Sequence, residues 1–208
     1  MRLGATHSRL PRTWWFASLS AIVVTLIAGV CVGAINIAPT HAIASLLGNL
    51  FPINVASLDP TDGLIISQIR LPRVVLAFVV GSMLATAGAA YQGTFRNPLA
   101  DPYFLGVSAG AGLGATVQIV MSNETVKWAL PLAAFIGAMC AVSLTYALGR
   151  SSIVGRSSTS LILAGVAVAA LLTAIQTVLC SRNPDKIQQV YSWILGRLST
   201  VGWGDVAM

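Results

Sequence analysis

The chain has 208 residues, of which 56% are hydrophobic and only 9% charged, with a mean hydropathy of +0.81. Soluble domains carry roughly 25% charged residues, so this composition excludes an ordinary soluble domain and points to an integral membrane protein. The net charge of +6 does not indicate nucleic-acid binding, because the basic residues are scattered over short connecting segments instead of striped along one face.

In chain order, Arg2, Arg9 and Arg12 precede an apolar run from about Trp14 to Ile35. That run exceeds the roughly 7–15 residues of a signal-peptide core, so it reads as a retained first helix. A membrane helix needs roughly 20 apolar residues. Five segments meet this, at about 14–36, 72–92, 103–121, 128–148 and 160–180. Trp14, Trp15 and Trp128 stand at span ends, where an amphipathic ring prefers the interface. Residues 37–71 read as a longer mixed connection, with a short interfacial helix at 43–51. After the fifth span, Asn183 is placed to cap a helix that has Pro184 at its first position. Ile187, Val190, Tyr191, Ile194 and Leu198 then recur at helical spacing, which predicts an amphipathic surface helix.

Cys31, Cys140 and Cys180 are widely spaced inside or at the end of apolar runs, which suits small buried apolar side chains and no disulfide or metal site. No cofactor is expected. No Asp, Glu, Lys, Arg or His lies in the middle of a span, and the most polar residues well inside are Gln118 and Gln176, which do not titrate. Ion-coupled carriers and intramembrane hydrolases need such groups. The chain is therefore expected not to be an enzyme, and any driving force for transport is expected from a partner.

Residues 92–116 read "QGTFRNPLADPYFLGVSAGAGLGAT". Gly106, Gly110 and Gly114 stand four apart on one helical face, a spacing repeated by Gly81, Ala85 and Ala89 and by Gly165, Ala169 and Thr173. Such small residues allow close approach of helices. A nucleotide loop would need a preceding strand and, in its P-loop form, a Gly-Lys-Ser/Thr that is absent. Asp101-Pro102 reads as an N-cap with proline at the first helical position, and Asn97-Pro98 as the same arrangement one turn earlier. Pro98 also predicts that the second span ends near Phe95–Arg96. Arg96 and Asp101 are expected to face each other across this tight turn.

The residues "RLPRVVLAFVVGSMLATAGAAYQGTFRNPLADPYFLGVSAGAGLGA" (70–115), with "LILAGVAVAAL" (161–171) and "YSWILGRLSTVGW" (191–203), resemble the permease subunits of ABC importers for ferric siderophores, haem and cobalamin. The likeness covers most of residues 60–208. It implies an all-α transmembrane bundle forming the first half of a subunit with about ten membrane helices. It further implies a second permease subunit, cytoplasmic ATPase subunits and an extracytoplasmic substrate-binding protein, with the assembly seated in the lipid bilayer of the cell membrane.

Six Lys/Arg fall on each side of the membrane, so counting them leaves orientation open, although Arg2, Arg9, Arg12 and the basic connection 149–156 favour a cytoplasmic N-terminus. The resemblance implies that same orientation. It puts the turn bearing Arg96, Asn97, Pro98, Asp101 and Pro102 in the cytoplasm and the 181–203 helix at the outer mouth. Pathway residues are then expected among Ala85, Gly88, Gln92, Gly165 and Thr173. Family members are longer than this chain, so residues 1–208 are expected to be a single permease domain truncated at its C-terminus and lacking the coupling helices. A non-transporting remnant or half of a split permease are the alternatives.

Overall fold

A computed structural model describes residues 11–33, 60–98, 100–122, 128–150, 158–196, 198 and 201–207. The expected interfacial helix at 43–51 lies outside them. The described helices are α1 (Arg12–Cys31), α2 (Pro60–Leu64), α3 (Leu71–Phe95), α4 (Val107–Met121), α5 (Ala129–Gly149), α6 (Ser158–Arg182), α7 (Ile187–Ile194) and α8 (Trp203–Val206). A π-helical turn, Ile65–Arg70, joins α2 to α3, and 3-10 turns cover Pro102–Leu105 and Pro184–Lys186.

Among the described residues, four helices are long and apolar enough to cross a membrane: Arg12–Cys31, Thr61–Phe95, Ala129–Gly149 and Ser160–Arg182. Helix α4 is apolar but has only 15 residues, about 22 Å at 1.5 Å per residue. The third span is therefore shorter than 103–121. Asp101 accepts the backbone N–H of Tyr103 (2.8 Å) and opens a 3-10 turn. Gly106 then takes a left-handed backbone (φ 72) before α4 begins. Phe16, Met83, Phe135 and Leu171 are among many exposed large apolar side chains, as expected of helices whose outer solvent is lipid.

Chain contacts divide the protein into two compact units, residues 1–81 with 198–208, and residues 82–197, with the division falling inside α3.

In the first unit, residues 60–70 are helical, where a loose connection was expected. Pro72 explains the wide turn. A proline has no N–H to donate and its ring crowds the carbonyl four residues back. A π-turn opens the backbone there, and Leu71 N–H donates to Ile66 O, five residues back. The same register would pair Ser67 O with the missing N–H of Pro72. The indole Nε1–H of Trp203 supplies that bond instead, at 2.8 Å.

Arg70 is buried and donates Nη1–H to Val30 O and Cys31 O, both at 2.8 Å. Those carbonyls belong to the last turn of α1, which lacks intrahelical donors, and a cation is favoured at that helix end. Val30 and Ile66 form the core beneath, with Leu71 and Val74 packed against it.

In the second unit, α4 and α5 meet backbone to backbone. A Cβ on Gly110 would collide with the carbonyl oxygen of Gly137, one on Gly114 with that of Ala133, and one on Gly137 with that of Gly110. Gly106 is not part of this stripe, because its left-handed backbone turns it toward α6, where a Cβ would stand 3.4 Å from Gly165 O. On α3, a Cβ built at Gly81 or Gly88 would meet nothing within 4 Å among the described residues. Thr145, fully buried, donates its hydroxyl to Leu105 O at 3.0 Å and so satisfies the end of the 3-10 turn.

Candidate functional site

The turn between α3 and α4 is built from capping chemistry. Asn97 N–H donates to Gln92 O at 3.2 Å, five residues back, while Arg96 adopts φ 49. This is a Schellman closure with Arg96 in the left-handed position that glycine usually fills. Ala100 N–H donates to Asn97 O at 3.1 Å, so Asn97-Pro98 forms a turn and not the helix start expected of it. Arg96 and Asp101 are both exposed and do not form an ion pair with each other; Asp101 serves Tyr103 instead. Pro102 starts the 3-10 turn. Behind this turn, Tyr91 and Phe95 stack with ring centroids 6.0 Å apart.

The larger feature is a cavity of about 430 Å³ within residues 82–197. One wall is a single face of α6, carrying Ala169, Thr173, Gln176, Thr177 and Cys180. Positions 169, 173, 176 and 180 follow the spacing that aligns residues on one helical stripe. Gly106, Ser108 and Ala109 contribute from the start of α4, and Tyr103 from the turn before it. Val190, Tyr191 and Ile194 of α7 complete the lining.

Helix α7 can reach this wall because the chain reverses tightly after α6. Asn183 Nδ2–H donates back to Leu179 O at 2.8 Å, satisfying the end of α6, and makes no side-chain cap on the following turn. The amphipathic helix is thus shorter than the sequence pattern suggested: α7 has eight residues, and the left-handed Gly196 (φ 67) lies just beyond it. Val190 is its buried anchor, while Tyr191 and Ile194 are more than two-fifths exposed and face the cavity.

Among the described residues, no charged side chain lines the cavity. Its polarity comes from hydroxyls, one amide and one thiol. Gln176 Nε2–H donates to Thr116 Oγ1 at 3.0 Å, tying α6 to α4, and Thr116 donates in turn to Gly112 O at 2.7 Å. Thr177 donates to Thr173 O at 2.9 Å.

Of the residues expected to line a pathway, Thr173 lies on this cavity. Gly165 is buried against Gly106. Ala85 and Gln92 are exposed and Gly88 half-buried on α3, outside the cavity. Cys180 and Cys31 are partly buried but Cys140 is exposed, so not all three cysteines fill a core. The sequence reading missed the Gln176–Thr116 bond. Its signal was present, since Gln176 is a polar residue deep in an apolar span and such a side chain needs a partner.

Comparison with known proteins gives this architecture a family. The fold is similar to that of a metal-chelate type ABC transporter in an inward-facing conformation, with a TM-score of 0.73, 24% identity, and coverage of 95% of this chain and 57% of that one. In sequence, the chain is 34% identical to the ABC transporter permease protein YvrB of Bacillus subtilis, over all of this chain and 61% of the relative. It is 38% identical to the cobalamin import system permease protein BtuC of Halobacterium salinarum, covering 94% of this chain and 53% of the relative. It is 34% identical to the Fe(3+)-citrate import system permease protein YfmE of Bacillus subtilis, covering 90% and 53%. The chain thus spans a little over half the length of these relatives. The FecCD transport family matches residues 21–208, and the chain, a multi-pass membrane protein, belongs to that family.

Proposed function

We propose that this chain forms part of the membrane pathway of an ATP-driven, binding-protein-dependent importer for an iron(III) chelate, haem or a corrinoid. The observation that carries this reading is the uncharged cavity on α4, α6 and α7, within a chain of the FecCD family. A wall of hydroxyls, an amide and small side chains suits a bulky cargo held weakly, because weak contacts let it leave as readily as it enters. The spans carry no Asp, Glu, Lys, Arg or His at mid-depth for ion coupling, so the work comes from outside the chain. The partners that fit are cytoplasmic ATPase subunits, an extracytoplasmic substrate-binding protein and a second permease subunit. In this reading the N-terminus and the Arg96–Pro102 turn face the cytoplasm, and α7 lies near the outer mouth. Import permeases for cobalamin and for Fe(3+)-citrate among the relatives support this cargo class.

The test is uptake by cells lacking the gene that carries this chain. Radiolabelled ferric siderophores, haemin and cyanocobalamin are offered in turn. Loss of uptake of one cargo, restored by the gene on a plasmid, is expected. Undiminished uptake of every cargo would refute the reading.

A further inference from the structure

Gln176 is the one amide among the described residues of the cavity wall, and its orientation is set by its neighbour. A threonine hydroxyl has a single proton to give. Thr116 donates that proton to Gly112 O at 2.7 Å, so toward Gln176 its oxygen accepts, from Nε2 at 3.0 Å. The amide nitrogen is thereby held against α4. The oxygen Oε1 is left over, and it accepts no hydrogen bond among the described residues. Gly112 gives the whole amide room, since a Cβ there would stand 3.2 Å from Oε1 and 3.4 Å from Nε2, and Oε1 is not closed off from solvent. Thr177 has committed its proton to its own helix. Gln176 thus brings an oriented amide carbonyl to the wall, beside the second Nε2 proton that the bond to Thr116 leaves over.

We propose that Gln176 Oε1 accepts a hydrogen bond from N–H or O–H groups on the cargo, with Thr116 as the residue that positions the amide. This deepens the transport reading above and rests on it. A cargo that cannot donate a hydrogen bond there is expected to bind about tenfold more weakly. The favoured cargo class is accordingly a chelate or corrinoid bearing amide N–H donors on its surface, such as ferric desferrioxamine B or cyanocobalamin.

Cys180 lines the same cavity and gives a readout independent of transport. In the full gene product carrying Cys31→Ala and Cys140→Ala, alkylation of Cys180 by N-ethylmaleimide is timed with increasing ferric desferrioxamine B or cyanocobalamin. The cargo taken up by cells is expected to slow labelling. Its half-protecting concentration is expected to rise about tenfold in Gln176→Met, the effect of losing one hydrogen bond. Thr116→Val removes the positioning bond but keeps the carbonyl, so it should shift protection less than Gln176→Met at equal thermal stability. Gln176→Leu serves where Gln176→Met does not fold. Equal shifts in the Thr116 and Gln176 variants would reduce Gln176 to a clamp between helices and overturn the proposal, as would unchanged protection in Gln176→Met. Normal uptake without any protection of Cys180 would remove the cargo from this cavity and overturn the proposal while leaving the transport reading intact. Absence of uptake of every cargo would overturn both.

Discussion

Arg96 occupies a left-handed backbone position, φ 49, at the end of α3. A residue with a Cβ is strained there by roughly 1–2 kcal/mol, whereas glycine is not. Arg96→Gly should therefore stabilise the folded protein by about 1 kcal/mol, seen as a higher melting temperature in detergent. An unchanged or lower melting temperature would contradict this account of the turn. Local chemistry of this kind was partly legible in the sequence. Asp101 and Pro102 were readable as a cap because the partner, Tyr103, is two residues away. Asn183 was readable as a capping residue but with the wrong direction, since an asparagine can serve the helix behind it as well as the one ahead. Thr145 and Gln176 were not assigned, because Leu105 lies 40 residues and Thr116 60 residues distant along the chain. Nothing local marks such pairs.

At the scale of elements, the contact of α4 with α5 depends on having no side chains between two backbones. A Cβ on Gly137 would strike Gly110 O and come within 3.1 Å of Gly114 Cα, and neither backbone atom can swing aside as a side-chain tip would. Gly137→Val is expected to cost about 2–3 kcal/mol. The check is the fraction of protein that remains monodisperse after extraction, beside Gly88→Val, whose surroundings are open and which should extract normally. Equal behaviour of the two variants would show that close approach is not what holds these helices. The glycine spacing in the third span was visible in the sequence, but the facing helix was not. Gly106 was grouped with the stripe because a four-residue repeat assumes an unbroken helix, and its left-handed backbone breaks it. The helix over residues 60–70 was hidden for a related reason. Residues 37–71 read as a connection and 72 as the start of a span, whereas Pro60 opens α2 and Pro72 is absorbed by a π-turn whose free carbonyl is met by Trp203.

For the whole molecule, the all-helical membrane architecture was legible because length and polarity alone dictate it: in hydrocarbon, backbone groups must pair within each helix. The family was legible only through the resemblance carried by residues 70–115, since an uncharged wall of small side chains has no catalytic pattern to read. The cavity itself draws on three separate segments, and only Thr173 of its lining was anticipated as a pathway residue. In the function proposed above, this chain gives passage to a chelate moved by an external ATPase. The most direct measurement is uptake of radiolabelled cargo into proteoliposomes holding the full gene product with its ATPase subunits, with the binding protein on the opposite face. The account predicts accumulation that requires both ATP and the binding protein and is lost when either is omitted. Accumulation that persists without ATP, or none with all components present, would contradict it.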